Sequence, residues 1–329
     1  MSPTSSPQRM SSETLSVDTH LKIAKENLIT VDCPEGTVPI RRIGKEDLIR
    51  AKTFSESYVT NVHQPTQITP LAPGEHAAIL RSKGTKTVHG ISGIISLHNL
   101  SNLVKPGQTS SARMWIETRL GNNKVTSLQT GWMVRKSFPQ ILYVNFPFST
   151  SQYFLILQNK GCFNLLCSNF VQIDRENPVD IVFNETSTYD EVPYVIPINI
   201  YQDKVTKNWW LQLNNDVNIG YWPSSSVPDM KNGASYVAWG GLAQGFTYVT
   251  SPPLGNSNKP DPDEPDVKQV AYIRLLQISD SSYWLNISED DVEVYADVFR
   301  CYEIGYMKYL GKAIGHEIVY GGPGGECGN

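Results

Sequence analysis

The sequence predicts an all-β protein, an antiparallel β-sandwich of two packed sheets, and three observations lead to this prediction. The composition has 24 glycines, 21 prolines and 16 tyrosines but only 18% charged residues, which suits short strands joined by many turns. Short runs that alternate or are wholly apolar recur along the chain, with turn residues between them. Amphipathic helical patterns are almost absent. So many short strands exceed what one open sheet holds comfortably, and this favours two packed sheets.

The predicted strands follow one another from residue 77 onwards. Gly121-Asn122-Asn123 is a tight hairpin signal that joins two of them. The strand-like runs are residues 77–81, 88–97, 112–120, 125–134, 141–146, 153–157, 170–173, 195–201, 209–213, 217–221, 269–276 and 292–299.

The part of the chain before this β region has a different character. Residues 1–30 are polar and rich in serine and threonine, which predicts a disordered tail. Residues 31–73 begin with an extended stretch that Pro34 and Pro39 keep out of a helix, and they end in a proline-containing linker. We therefore expect a β-sandwich domain over residues 74–329, preceded by a partly disordered N-terminal part.

Charge and hydropathy argue against two classes of partner. The net charge of −4 predicts no basic surface of the kind that binds nucleic acid. No apolar run approaches the roughly 20 residues that a membrane span needs. We expect neither nucleic acid nor a membrane as a partner.

Cysteines and glycosylation sequons indicate a secreted or extracellular protein. The chain has five cysteines, so one is left over if two disulfides form. Sequons for N-glycosylation occur at Asn99, Asn184 and Asn286. The segment Met1–Gln8 has no apolar core, so no signal peptide is visible, and we interpret the N-terminus as incomplete or processed.

The sequence lacks the motifs of the common hydrolase mechanisms. Its histidines show no His-Glu-X-X-His spacing for zinc, and no Gly-X-Ser-X-Gly elbow is present for a serine nucleophile. Prolines interrupt the acidic loop Asp261–Asp266, which lacks the ligand spacing of a calcium site. We expect no metal and no cofactor, which leaves carboxylate chemistry as the remaining hydrolytic mechanism.

Several short, rare sequence motifs follow one another along the chain in a fixed order. Together they resemble the neprosin family of plant glutamic endopeptidases, over about residues 30–329. The resemblance implies an antiparallel β-sandwich, a prolyl endopeptidase activity, and an activation peptide to which residues 31–73 are similar. The motifs are Gly161-Cys162-Phe163-Asn164-Leu165-Leu166-Cys167, Asn208-Trp209-Trp210-Leu211-Gln212, Gly220-Tyr221-Trp222-Pro223, Trp239-Gly240-Gly241 and Gly324-Gly325-Glu326-Cys327.

The spacing of Cys162 and Cys167 alone is compatible with a small disulfide loop or with two buried thiols. The resemblance favours the disulfide. It also implies a second bridge between Cys301 and Cys327, which leaves Cys33 unpaired in the pro-segment.

The family's two catalytic acids are glutamates, and the resemblance places both acid positions on other residues in this chain. An Ile-Glu-Ala-Gly-Trp type segment matches Leu128–Trp132, and a Trp-Gly-Gly-Glu type segment matches Trp239–Leu242. The acid positions are therefore Gln129 and Leu242. Glutamine still donates a hydrogen bond to an oxyanion, but leucine cannot transfer a proton, and losing such a group typically removes ~10²–10⁴-fold in rate. Glu117, across the predicted hairpin from Gln129, is the candidate for a relocated acid.

Tryptophans form the second group of candidate site residues. Trp132, Trp222 and Trp239 are candidates for lining a cleft that packs against substrate proline rings, and burial in the core is the alternative for each. Three functions remain open from the sequence. They are a pseudoenzyme of the neprosin type that binds extended, proline-rich polypeptide, an active prolyl endopeptidase with a relocated acid, and a carbohydrate-binding β-sandwich.

Overall fold

The computed structural model describes an all-β chain. The description covers residues 2–9, 21–24, 33–40, 42, 44, 74–84, 86–120, 124–135, 152–157, 162–165, 169–179, 183, 185–245, 250–263 and 265–328. In these ranges the only helical elements are two short 3-10 turns, Pro228–Met230 and Glu289–Asp291. The strands are β1 (Lys22–Ile23), β2 (Glu75–Ser82), β3 (Gly90–Ser96), β4 (Thr109–Leu120), β5 (Lys124–Arg135), β6 (Gln152–Leu157), β7 (Cys162–Phe163), β8 (Val171–Gln172), β9 (Tyr194–Gln202), β10 (Trp209–Leu213), β11 (Val217–Trp222), β12 (Tyr236–Gln244), β13 (Ala271–Ser279), β14 (Trp284–Asn286), β15 (Val292–Ala296), β16 (Glu303–Tyr309) and β17 (His316–Gly321).

The strands form two sheets, and the predicted antiparallel sandwich is confirmed. The larger, ten-stranded sheet has the order β16-β17-β13-β3-β9-β10-β11-β8, with β1 beside β9 and β14 beside β13. The smaller, seven-stranded sheet has the order β15-β2-β12-β4-β5-β6-β7. Neighbouring strands are antiparallel except β1 and β9, which are parallel. The predicted strand at 141–146 and the turn at 121–123 lie outside the described residues.

Alternation along the strands decides which side chains form the core. In β4, Ala112, Met114 and Ile116 point into the main apolar cluster between the sheets. Successive side chains of a strand point to opposite faces, so Arg113 and Trp115 point the other way, onto what we call the outer face of the smaller sheet. Burying a large apolar side chain contributes about 1.5–3 kcal/mol, so the core face fixes the register of each strand.

Tryptophans of the smaller sheet lock the two layers together. Trp132 Nε1 donates to the carbonyl oxygen of Ser96 at 2.8 Å, and Trp239 Nε1 donates to that of Ser92 at 3.0 Å. Both acceptors lie on β3 of the larger sheet. A buried indole N–H needs such an acceptor, and these two bonds hold the sheets in one relative position.

The prediction that tryptophans line a cleft is wrong for Trp132, Trp222 and Trp239. All three are at most 1% exposed and belong to the core cluster between the sheets. Trp222 packs edge-on against Phe170, with 4.9 Å between the ring centroids. Their large apolar surface is more stable inside the sandwich than beside solvent, so core packing applies to each.

Two parts of the predicted disordered tail contact the larger sheet. β1 pairs in parallel with the first residues of β9, Tyr194 and Val195. Gln8 forms a parallel bridge with Tyr283. Backbone hydrogen bonds order these pieces, whereas a prediction of disorder from composition weighs mainly apolar burial. Residues 1, 10–20 and 25–30 lie outside the described residues.

One disulfide is described. It joins Cys301 to Cys327, the pair that the resemblance implies, across a Cα–Cα distance of 5.8 Å. Cys33 forms no disulfide in the described part of the chain. Cys167 lies outside the described residues, so the Cys162–Cys167 bridge stays a prediction. Among the described segments, no helix is long and apolar enough to cross a membrane.

Candidate functional site

The outer face of the smaller sheet carries both positions at which the resemblance places the family's acids. Gln129 on β5 pairs with Trp115 of β4, and Leu242 on β12 pairs with Ser111 of β4. Each belongs to the set of alternate residues that points away from the larger sheet. The two positions therefore share one face, on the strands that flank β4.

Arg113 occupies the space between them. It lies midway between Ser111 and Trp115 on β4, and it is only 2% exposed. Its Nε donates to Ser111 Oγ at 2.7 Å, and its Nη1 donates to Gln129 Oε1 at 3.2 Å. Ser111 Oγ in turn donates to the carbonyl oxygen of Leu242 at 3.1 Å. A continuous hydrogen-bond chain thus connects the two acid positions through a guanidinium.

Glycines on both neighbouring strands stand beside Arg113. Gly240 of β12 and Gly131 of β5 are its cross-strand partners. Both have φ in the range that side chains rarely adopt, +145° and +154°. A Cβ on Gly131 would lie 2.0 Å from the carbonyl oxygen of Ala112, and the backbone of β2 is nearly as close to Gly240. Any side chain at either position would be strained, and the two glycines leave the arginine without a side chain opposite it.

The hydrogen bonds of Gln129 fix the orientation of its amide. Its Nε2 donates to Ser127 Oγ at 3.2 Å, while its Oε1 accepts from Arg113. A guanidinium has no acceptor, so the amide oxygen must face it and the NH₂ group must face Ser127. Burial lowers the pKa of Arg113 to about 9, which still leaves it protonated at acid and neutral pH. A fixed positive charge therefore stands next to the first acid position.

Leu242 lies in apolar surroundings on the same face. It belongs to a buried cluster and is 9% exposed. An alkyl side chain in such a pocket has no means to bind, orient or deprotonate water. The other members of the cluster are Ala77, Ile79, Trp115, Tyr236 and Ala238.

Glu117, the candidate relocated acid, shares this face with Gln129. It pairs in register with Ser127, two residues from Gln129 on β5. Its carboxylate accepts a hydrogen bond from Arg119 Nη2 at 2.9 Å, and it is buried rather than on the surface. The Arg119 guanidinium also lies 3.6 Å from the ring centroid of Tyr236. A carboxylate held in this ion pair is a structural anchor at the end of the outer face.

Two residues of this face, Arg113 and Glu75, are not among the sites predicted from the sequence. Arg113 is charged, yet it lies in the middle of a strand between Ala112 and Met114, and that pattern could have singled it out. Glu75 is buried on β2, two residues before Ala77, which pairs with Leu242. It stands on the outer face because alternate residues of β2 share that face with Ala77. Its position follows from strand pairing, which the sequence alone does not give.

In the described ranges, no group of three or more His, Cys, Asp or Glu side chains is placed to hold a metal ion. Asn99 and Asn286 of the sequons are exposed. Asn184 lies outside the described residues.

Comparison with known proteins identifies the family. The sequence model described as Neprosin matches residues 106–323, well over half of the chain. The fold is similar to a crystal structure of Scytalido-glutamic peptidase with a peptide based transition state analog, at 12% identity and a TM-score of 0.36, covering 76% of this chain and 98% of that chain. A structure of scytalido-glutamic peptidase with a transition state analog inhibitor has 10% identity, a TM-score of 0.38 and the same coverage. The TM-scores of both structures are too low to carry an argument about the site. The family match over residues 106–323 is sufficient by itself, and this chain belongs to the neprosin family.

Proposed function

We propose that this neprosin-family protein is a pseudoenzyme that binds extended polypeptide on the outer face of the smaller sheet and does not hydrolyse it. The observation that carries the proposal is the hydrogen-bond chain from Gln129 through Arg113 and Ser111 to the Leu242 carbonyl. Hydrolysis by a carboxyl pair needs one ionised group to take a proton from water and one protonated group to polarise the scissile carbonyl. Here an amide, a guanidinium and an alkyl group stand in that place.

Aromatic side chains on the same face support polypeptide as the ligand. Trp115, Tyr236 and Tyr295 point away from the larger sheet and belong to or pack against the same cluster as Leu242, and Trp115 pairs directly with Gln129. Proline rings pack well against such aromatic faces, and this favours proline-containing segments. On this proposal they form the aromatic contact surface for which Trp132, Trp222 and Trp239 were the candidates from the sequence.

Residues 30–60, in the activation-peptide-like part of the chain, are proposed to cover part of the domain and to lie across this face. The outer face is not covered by the larger sheet, yet Gln129, Arg113 and Leu242 are all at least nine-tenths buried. A chain without a working acid pair cannot remove such a segment by self-cleavage. Protein held at pH 3 that trims itself between about residues 30 and 75 would overturn this proposal.

We place the protein outside the cell or in a secretory compartment. The buried Cys301–Cys327 disulfide suits an oxidising environment, and Asn99 and Asn286 are exposed acceptors for N-glycosylation. Mass measurement before and after enzymatic removal of N-glycans, on protein from a secreting eukaryotic host, tests the modification.

An active endopeptidase with a relocated acid is the second candidate function. The observation that favours it is Glu75, a buried carboxyl on the same face and on the strand next to Leu242. In this case Glu75→Gln would abolish cleavage while leaving the fold intact. The Glu117→Ala variant tests the other buried carboxylate of the face, so the two variants together show whether Glu75 or Glu117 is the acid.

A pair of assays distinguishes these functions. Proline-containing peptides are incubated with the protein from pH 3 to pH 7 and followed by mass spectrometry, while peptide binding is measured by titration. Binding without cleavage supports the pseudoenzyme, and cleavage lost in Glu75→Gln supports the relocated acid. Binding to glycans without binding to peptides would favour the carbohydrate-binding alternative.

A further inference from the structure

On the opposite side of the sandwich, a short N-terminal segment of the chain lies on the larger sheet in the manner of a bound peptide. Residues 4–9 lie along the outer face of the larger sheet, away from the acid positions, and contact it through both backbone and side chains. Gln8 N–H donates to the Ser282 carbonyl at 2.8 Å, and Trp284 N–H donates to the Gln8 carbonyl at 3.0 Å. This is the hydrogen-bond pattern of an extended peptide that adds to a strand.

The side chain of Arg9 enters a polar pocket in the middle of this face. Its Nη1 donates to Gln277 Oε1 at 2.5 Å, and its Nη2 donates to Asn215 Oδ1 at 2.7 Å. Nη2 also lies 3.3 Å from Ser92 Oγ and 3.3 Å from Asn199 Oδ1. The guanidinium carbon is 5.7 Å from the centroid of the Trp284 ring, which adds a cation–π contact.

The pocket is built by the sheet. Ser92, Asn199 and Gln277 come from β3, β9 and β13, three adjacent strands, and each is at most 3% exposed. Asn199 Nδ2 donates to Gln212 Oε1 at 2.9 Å and to Asn215 Oδ1 at 3.1 Å. These bonds turn its Oδ1 towards Arg9. The acceptors are therefore held in place by their neighbours, which is what recognition of a planar, forked guanidinium requires.

The other end of the segment has its own anchor. Thr4 Oγ1 lies 2.7 and 2.8 Å from the two carboxylate oxygens of Asp203, and the Thr4 N–H donates to Oδ2 at 2.5 Å. Lys204 N–H donates to Ser5 Oγ at 2.9 Å. A cavity of about 510 Å³ runs beside this stretch and is lined by Ser5, Gln8, Lys204 and Tyr283 among others. Two anchors five positions apart fix both the direction and the register of the segment.

We propose that the outer face of the larger sheet is a peptide-binding groove with an arginine-specific subsite formed by Ser92, Asn199, Asn215, Gln277 and Trp284. It takes an extended polypeptide with the pattern Thr-Ser-X-X-X-Arg, and in this chain residues 4–9 fill it. The groove is separate from the acid positions, because the two sites lie on opposite faces of the sandwich. The occupant is recognised by its guanidinium, since a lysine ammonium is a point donor that does not match the forked set of acceptors.

Trypsin gives a direct test on the full chain, because it cleaves after arginine only when that side chain enters its own specificity pocket. The Arg9–Met10 bond of the full chain is compared with the same bond in a synthetic peptide of residues 2–12, with initial rates read by mass spectrometry. We expect the bond in the full chain to be cut at least about 100-fold more slowly, since the docked segment must first open. Gln277→Leu removes one acceptor and should accelerate the cut at least about tenfold. Equal rates in chain and peptide, or no acceleration in Gln277→Leu, would overturn the proposal.

The matched control is Lys312→Gln, an exposed residue in the turn between β16 and β17, which should leave the rate unchanged. A second measurement does not depend on a core variant. A labelled peptide of residues 2–10 is titrated against the full chain carrying Thr4→Ala, Ser5→Ala and Arg9→Ala, which removes both anchors of the chain's own segment. We expect saturable binding, and at least about tenfold weaker binding of the same peptide with Arg9→Lys. No binding to the folded variant, or equal binding of the two peptides, would contradict an arginine-specific subsite.

Discussion

Arg113 and Gln129 are joined by a hydrogen bond of 3.2 Å from Nη1 to Oε1, on the face where the family's first acid position lies. The bond ties β4 to β5, so that the amide oxygen of Gln129 faces Arg113 and its NH₂ group faces Ser127. It also means that any carboxylate restored at position 129 has a buried cation as its neighbour. Recovery of activity therefore depends on Arg113 as well as on the two acid positions.

Gln129→Glu alone should give no peptidase activity. The new carboxylate would pair with Arg113, and an opposite charge at hydrogen-bond distance lowers a carboxyl pKa, so the group stays ionised without an acidic partner. Cleavage of a proline-containing peptide between pH 3 and pH 7 measures this. Gln129→Met is the control for the lost hydrogen bond. It should destabilise the protein by about 1–3 kcal/mol, because Arg113 loses a buried acceptor.

Restoring acids at both positions should restore activity in a graded order. Leu242→Glu alone should give a trace, because it creates an acid and amide pair, and the double variant with Gln129→Glu should give the most, with an acidic optimum. The apolar neighbours of Leu242 raise the pKa of a carboxyl there and limit the recovery. Leu242→Gln is the control of similar size without an acid. A double variant no more active than Leu242→Gln would mean that these are not the acid positions.

Arg113 adds a further step to this series. Arg113→Gln in the background of the double variant should increase the rate, because without the paired cation the carboxylate at position 129 has a higher pKa and takes a proton from water more readily. In the unmodified chain the same substitution should leave the protein inactive. The comparison uses the same peptide assay, with unfolding curves to show that each variant is folded.

The Cys301–Cys327 disulfide should contribute substantially to stability. It closes a loop with a sequence separation of 26 residues, and the chain-entropy argument gives about 3.5 kcal/mol for a loop of this size. Replacement of both cysteines by alanine should lower the free energy of unfolding by about this amount. Cys33→Ala, which removes a cysteine with no disulfide partner in the described part of the chain, should change it little. Equal effects of the two changes would contradict the assignment.

Asp203 should make stability depend on pH in a defined window. Burial disfavours its charged form, but hydrogen bonds from Thr4, Thr206 and Val205 outweigh burial and lower its pKa to about 2, from an ordinary value of 3.8. The unfolded chain binds a proton more readily than the folded one, so this contribution is fully present above about pH 4 and is lost as the pH falls towards 2. Melting temperatures from pH 2 to pH 6 measure it. The difference in melting temperature between the wild type and Asp203→Asn should shrink as the pH falls from 4 towards 2. A difference that stays constant over this range would contradict the account.

The sequence predicts the fold of this protein well and the site only in part. Alternation in β4 and β5 predicts the strands and their faces. Arg113 and Glu117 lie four positions apart on β4 and so share a face, and the register of the hairpin places Gln129 of β5 on that same face. Alternation does not say which face is inside. It therefore leaves Trp132 and Trp239 open between a cleft and the core, and their indole N–H groups find acceptors within the core.

Long-range pairing explains what the sequence could not give. Glu75 and Leu242 are far apart in the chain and become neighbours only because β2 pairs with β12. The docking of Arg9 depends on Ser92, Asn199 and Gln277, which no local pattern brings together. Such contacts follow from the order of the strands in each sheet, and neither the composition nor the hydrophobic periodicity of the sequence specifies that order.

The most direct test of the central claim is a cleavage assay on the unmodified chain. The purified protein is incubated at pH 3 to 5 with a proline-containing peptide and an inhibitor of aspartic proteases, and products are followed by mass spectrometry. We predict that no peptide bond is cut while the peptide still binds. Steady cleavage that resists the inhibitor and disappears in Glu75→Gln or Glu117→Ala would show that the chain is an active peptidase with its acid elsewhere on the same face.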